Sequence, residues 1–182
     1  DRNQAVSLAM EMMKDGNTVG FGGSETLNEI GILDTIKNSS LTLIDRNTAK
    51  DSGEKKRDVF LKNASAVLFL MSSNAVTIDG ELINIDGNGN RVACLIHGPE
   101  HVILIVGMNK VVTDVESGVA RVRNIASPAN AARLGTRTPC GAVGHCGNCN
   151  SPDCMCCQVV ITRHSRHTGR IKVILVGEEL GY

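Results

Sequence analysis

The stretch Thr18 to Leu33, TVGFGGSETLNEIGIL, constrains this chain more than any other. Thr18-Val19-Gly20-Phe21 reads as a short buried strand, and Gly22-Gly23 forces a sharp turn after it. Ser24 then caps a helix whose apolar residues Leu27, Ile30 and Leu33 recur every three positions. A strand, a glycine turn and a helix N-terminus leave backbone N–H groups without internal partners, which suits a phosphate or a carboxylate. A Cβ at Gly22 or Gly23 would block the approach of a ligand to the backbone. The expected ligand site is therefore Gly22, Gly23, Ser24, Glu25 and Thr26, although Glu25 in the first turn competes for the positive end. The plainer reading is a tight βα connection that binds nothing.

Other strands follow this first one. Leu41 to Ile44, Ala66 to Met71 (AVLFLM) and His101 to Gly107 (HVILIVG) are short and apolar, as strands covered by helices on both faces are. Between them, Gln4 to Lys14 reads as a helix with Ala5, Leu8 and Met12 on one face. Ser52 to Asn63 reads as a charged helix with Val59 and Leu61 turned inward. Val115 to Leu134 reads as two helical pieces broken at Ser127-Pro128, with Val119, Val122 and Ile125 on one face and Arg121 and Arg123 elsewhere. Gln158 to Arg163 and Ile171 to Gly177 read as strands of a terminal antiparallel hairpin. The fold class expected is α/β: a Rossmann-like three-layer arrangement with a mostly parallel sheet, an antiparallel C-terminal hairpin and a cysteine-rich loop. A chain of 182 residues has enough material for one core, so a single domain over 1–182 is expected.

The stretch from Ser72 to Asp86 departs from the βα rhythm and carries a hairpin signal, with Asp79-Gly80 at the turn. Asp86-Gly87-Asn88-Gly89-Asn90 is a second polar turn, leading into the apolar segment Val92 to Ile96. So many Asn, Asp and Ser residues are ordinary turn chemistry. They also follow a buried strand, at the sheet edge where α/β sites lie. Asn74, Thr77, Asp79, Asn84, Asn90 and Arg91 are accordingly expected to line a pocket near Gly23. Arg91 leads this group, because a guanidinium matches a carboxylate or phosphate with two donors.

Charge narrows the partners. Nineteen basic and nineteen acidic residues cancel, so there is no electrostatic case for nucleic acid or an anionic membrane. Aromatics number four, too few for base-stacking platforms. No apolar run reaches membrane-spanning length, and no signal-peptide pattern precedes the fold. The opening on Asp1 instead of Met reads as a trimmed start, and a cytoplasmic home is expected. No nucleotide-cofactor motif is present.

Six of the seven cysteines, Cys140, Cys146, Cys149, Cys154, Cys156 and Cys157, fall between Pro139 and Gln158 with the spacing C-x5-C-x2-C-x4-C-x-C-C. Residues 139–158 are rich in Gly, Asn and Pro and poor in apolar side chains, so burial cannot hold their shape. In a reducing compartment a thiolate-bound metal would order them, zinc and an iron–sulfur cluster being equally suited. His145 is a substitute ligand. Disulfides, free thiols and a redox dithiol at Cys146-Gly147-Asn148-Cys149 are the other readings. Cys94 stands apart and reads as a small core residue.

The ordered blocks VGFGGSETLNEIG, SSNAVTIDGELINIDGNGNRVA, VILIVGMNKVV, ARVRNIASPANAARL, PC…HCGNC…C and RIKVILVGEELGY resemble the LUD family of lactate-utilisation proteins. The similarity is to its shorter branch with a cysteine-rich C-terminal loop. It implies a fold like the phosphosugar isomerases and CoA transferases, with the ligand beside Gly22 to Thr26. It also implies a role as a subunit or accessory factor in oxidation of L-lactate to pyruvate, with electrons passing to an iron–sulfur or flavin oxidoreductase partner. The glutamate that forms the thioester in CoA transferases has no counterpart at Ser72-Ser73-Asn74-Ala75. Pentose-phosphate isomerases use clustered Asp and a Lys, for which this chain offers Asp79, Asp86 and Lys110 in a different motif context, so no mechanism is inherited. Within the cysteine loop the arrangement suggests Cys140, Cys146, Cys149 and Cys156 as metal ligands. The rival readings are a stand-alone enzyme or sensor for a phosphorylated or CoA-linked ligand with a structural metal, and an assembly protein without a pocket. A homo-oligomer is compatible with each.

Overall fold

The computed structural model describes residues 1–46 and 55–182. The chain divides into two compact units: Asp1–Ser72 with Asn90–Met108 and Ser165–Gly181, and Ser73–Gly89 with Asn109–His164 and Tyr182.

The first unit is built on apolar strands that can be buried only between helices. β1 (Thr18–Phe21), β2 (Thr42–Leu43), β3 (Leu68–Met71), β6 (His101–Gly107) and β9 (Ile171–Val176) form one sheet in the order β2-β1-β3-β6-β9, every pair parallel. Val102 to Val106 have no exposed surface, which explains why no polar residue interrupts that run. One core joins Val19, Phe21, Leu68, Leu70, Ile103, Ile105, Ile174 and Val176 to the helices. Helix α1 (Arg2–Glu11) starts with a capping box in which Asp1 accepts from the Gln4 amide at 2.9 Å. It buries Ala5 and Ala9, while Leu8, expected on the inner face, is exposed.

The helix expected after Ser24 is two helices. Gly31, at φ +69°, ends α2 (Glu25–Glu29) and precedes α3 (Ile32–Lys37). This left-handed residue resets the helical phase, so Leu27, Ile32 and Ile36 are fully buried while Ile30 and Leu33 are only partly so. Helix α4 (Lys56–Ala64) points Val59 inward but leaves Leu61 50% exposed; the expected start at Ser52 lies outside the described residues. Its Asn63 is buried, accepting from the Phe21 amide at 2.9 Å and donating to Val59 O at 2.8 Å.

Val92 to Ile96, read as a short apolar segment, lies within helix α5 (Asn90–Ile96). Its carbonyl end is closed by Arg170, which donates to Cys94 O, Leu95 O and Pro99 O at 2.9, 2.6 and 3.1 Å. Cys94 is 1% exposed, and burial pushes its thiol up to about 11 despite the nearby Arg170 guanidinium. The folded state thus holds this proton more tightly than the unfolded chain, whose thiol titrates near 9. Its contribution to stability is complete below pH 9 and is lost as pH rises through 11. Urea midpoints measured from pH 8 to 11 should fall across that window, and Cys94→Ala should flatten the fall.

The second unit has its own sheet, β7-β4-β5-β8, from β4 (Ala75–Thr77), β5 (Leu82–Asp86), β7 (Val111–Val112) and β8 (Gln158–Thr162). The Asp79-Gly80 hairpin is formed: β4 and β5 are antiparallel, Gly80 takes φ +88°, and the Thr77 amide donates to Glu81 O. The terminal hairpin is not formed. β8 pairs antiparallel with β5, whereas β9 pairs parallel with β6 in the other sheet. Apolar alternation marks a strand but does not choose its neighbour.

Helix α6 (Val115–Arg121) runs through a π-helical turn (Val122–Ala126) into α7 (Ser127–Leu134), and α8 (Pro139–Val143) follows. The irregularity therefore precedes Ser127-Pro128. Pro128, which has no N–H to return to the preceding turn, lies just after the π-helical turn, where the regular ladder is already broken. The expected face is rotated as well, with Val122 and Arg121 buried and Ile125 53% exposed. Among the described residues no helix is long and apolar enough to cross a membrane.

Candidate functional site

In the first sheet β1 lies between β2 and β3, so the chain turns to opposite sides after β1 and after β2. The carboxyl ends of β1 and β3 flank that reversal, the place where open parallel sheets leave a crevice for ligands. Gly22-Gly23-Ser24 leaves the end of β1, and Ser72 leaves the end of β3.

Gly22 continues the ladder: its amide donates to Leu70 O at 2.9 Å and so is not an open donor. The amides of Gly23 and Ser24 have no acceptor among the described residues. Ser24 caps α2 in extended conformation, its Oγ accepting from the Leu27 amide at 3.3 Å. Thr26 is fully buried and donates inward to Leu180 O at 3.2 Å, away from the open side of the loop. Glu25 accepts from Asn28 Nδ2 at 3.3 Å.

Two guanidinium side chains border this loop. Arg91, in the first turn of α5, lies so close that a Cβ at Gly22 would stand 2.9 Å from its Cγ, and its Nη1 donates to Ser72 O at 3.3 Å. Arg46, just past β2, places Nη1 3.2 Å from where a Gly23 Cβ would stand. Neither Gly22 nor Gly23 has a left-handed φ, so here glycine serves close approach and not a special turn. Two open amides with two cations alongside are suited to one carboxylate or phosphate. The sequence reading found Arg91 and missed Arg46, whose signal was its position three residues beyond the strand next to β1.

The hairpin residues have internal partners in the second unit. Asn74 Oδ1 accepts from the Ile85 amide at 3.0 Å, and fully buried Asn84 donates to Ser73 Oγ at 3.1 Å. Thr77 Oγ1 bonds both the Glu81 amide and its carboxylate, and Asp86 Oδ1 accepts from Asn88 and Gly89 amides. Asp79 is exposed at the hairpin turn, and Lys110 is buried. Asn90 is half-buried at the start of α5 in the first unit. A buried cation that sequence reasoning set aside is Arg121, 9% exposed, donating to Asn74 O at 2.8 Å and Asn109 O at 3.0 Å. Burial lowers its pKa.

All seven cysteines are free thiols, and the loop thiols have separate local partners. Cys140 Sγ meets Thr138 Oγ1 at 3.3 Å, Cys146 Sγ accepts from the Asn148 amide at 3.4 Å, and Cys156 Sγ donates to Ser127 Oγ at 3.3 Å. Cys149 Sγ meets Ser151 Oγ at 3.4 Å, and hydrogen bonds from Ser151 hold that thiol below its ordinary value. At Cys154 the Cys156 amide favours the thiolate, but burial and the neighbouring Cys156 and Cys149 push the thiol up. Cys149, Cys154 and Cys156 thus influence one another's protonation, while Cys140 and Cys146 bond to separate neighbours. Among the described residues no group of three or more His, Cys, Asp or Glu side chains is placed to hold a metal ion.

The geometry defines a parallel α/β sheet with a candidate anion crevice at its strand-order reversal. The LUD domain family matches residues 1–176, and the chain belongs to that family. Among solved structures, a DUF162 family protein from Deinococcus radiodurans shares 15% identity over 97% of this chain and 99% of its own, at a TM-score of 0.36. eIF2B delta from Chaetomium thermophilum shares 18% over 60% of this chain and 48% of its own, at 0.40. Ribose 5 phosphate isomerase A from Neisseria gonorrhoeae shares 15% over 63% and 54%, at 0.39. The chain therefore spans about half the length of the last two and nearly all of the first. No curated protein matches it.

Proposed function

We propose that this LUD-domain protein binds a small 2-hydroxy or 2-oxo carboxylate in the crevice at Gly23, Ser24, Arg46 and Arg91, as a subunit or accessory factor in the oxidation of L-lactate to pyruvate. The observation that supports this reading most is the convergence of two guanidinium groups on a glycine loop with open amides. Membership of the LUD family supports a substrate of the lactate and pyruvate class. Two electrons and two protons leave lactate in that reaction, so an iron–sulfur or flavin oxidoreductase partner is part of the proposal.

Calorimetric titration with L-lactate, pyruvate, phosphate and acetyl-CoA tests it, using the parent chain and Gly23→Val. Gly23 has no left-handed φ that valine would strain, and among the described residues the nearest atom to an added Cβ is the movable end of Arg46, so the variant should fold. Binding of lactate or pyruvate should be lost in it. Tight binding of acetyl-CoA or phosphate alone would favour the stand-alone enzyme or sensor. Equal binding by both proteins would overturn the site.

The cysteine loop is proposed to load zinc or an iron–sulfur cluster, which would have to draw Cys140, Cys146, Cys149 and Cys156 away from their separate hydrogen bonds. Anaerobically purified protein should then carry stoichiometric zinc, or iron with acid-labile sulfide. Metal-free protein with every loop thiol alkylated under native conditions would rule this out. A cytoplasmic home and a homo-oligomer belong to the same proposal.

A further inference from the structure

The second unit carries a feature that the lactate reading does not use. Glu116, Val119, Ala120, Arg123 and Asn124 recur at i, i+3, i+4, i+7 and i+8, so they form one stripe along α6 and the π-helical turn. The opposite side of the same helix, with Gly118, Arg121, Val122 and Ala126, is buried. The stripe is one wall of an open groove of about 530 Å³, and Cys146 and Asn148 of the cysteine loop form the other. That volume lies within the range of small-molecule sites. Asn148 holds φ +52°, the only non-glycine left-handed residue among those described, and its amide is turned onto Cys146 Sγ.

The chemistry of the walls selects a ligand class. Val119 and Ala120 give an apolar floor. Arg123 is half-buried there and has neither ion pair nor hydrogen bond among the described residues. Asn124, at the end of the stripe, donates its side-chain amide to Ala120 O at 3.0 Å. Glu116, two turns before Arg123, makes the opposite end of the groove repel anions. One unpaired cation beside an apolar floor, with an acid at the far end, fits a molecule carrying one carboxylate and a short hydrocarbon body. We propose that this groove is a second binding site, for a small amphipathic carboxylate whose head pairs with Arg123 and whose chain lies on Val119 and Ala120.

Octanoate is the probe, titrated calorimetrically into the full chain, with octanol as the uncharged comparison. The parent should bind octanoate saturably and octanol at least about tenfold more weakly, since a charge-assisted contact is lost. Arg123→Ala should weaken octanoate by a similar factor, and Ala120→Trp should abolish binding by filling the groove. Arg137→Ala, which removes an exposed cation paired with Asp153 outside the groove, should leave octanoate binding unchanged. Circular dichroism checks that each variant is folded, and unaltered pyruvate binding at Gly23 separates this site from the first. Absence of saturable octanoate binding, or binding that survives both groove variants in folded protein, would overturn the proposal.

Discussion

Arg91→Ala should weaken the binding of pyruvate or phosphate by roughly ten- to a hundredfold while leaving the protein folded. A hydrogen bond to a charged group contributes about 1.5–3 kcal/mol, and each 1.4 kcal/mol is tenfold in affinity. Arg91 is half-buried and spans the ends of β1 and β3 through Gly22 and Ser72 O, which places its charge beside the crevice. Arg91→Lys should recover part of the loss, because an ammonium keeps the charge without the planar pair of donors. Calorimetry reads the affinities and circular dichroism the fold. An unchanged Kd in folded Arg91→Ala would remove this side chain from the site.

The second large effect concerns stability. Phe69 is 2% exposed in the middle of β3, between β1 and β6. Its ring fills the space over two glycines: a Cβ at Gly20 would stand 3.2 Å from its Cδ2, and one at Gly22 3.5 Å from its Cζ. Two neighbouring positions contribute no side chain of their own that could collapse into the vacated volume. Phe69→Ala should therefore cost about 3–5 kcal/mol, a large share of a total near 5–15 kcal/mol. Urea unfolding measures it, and a loss below about 1 kcal/mol would mean that the ring is not the packing element described.

The parts legible in the sequence were those with a local cause. Apolar runs such as HVILIVG have one stable environment, and Asp79-Gly80 has one strongly favoured turn, so both elements formed where expected. Pairing depends on distant partners: nothing within IKVILV says that it aligns with β6 and not with β8. Helix phase failed at Gly31 and at the π-helical turn, because a single backbone irregularity shifts every later residue around the axis. At the candidate site, Gly23 and Ser24 were legible as donors. Gly22 was not, since its amide is consumed by Leu70 O across the sheet. Arg46 could be recognised only once β2 was known to lie beside β1. For the cysteines, spacing showed that six thiols share one loop but not their local partners, which differ from one sulfur to the next.

The central claim is that the open amides of Gly23 and Ser24 receive an anion held by Arg91 and Arg46. Amide chemical shifts of isotopically labelled protein, followed through a pyruvate titration, test it most directly. The account predicts that Gly23 and Ser24 show the largest saturable shifts and that in Arg91→Ala the same shifts need roughly ten- to a hundredfold more pyruvate. Shifts absent at those two amides, or identical in the variant, would contradict it.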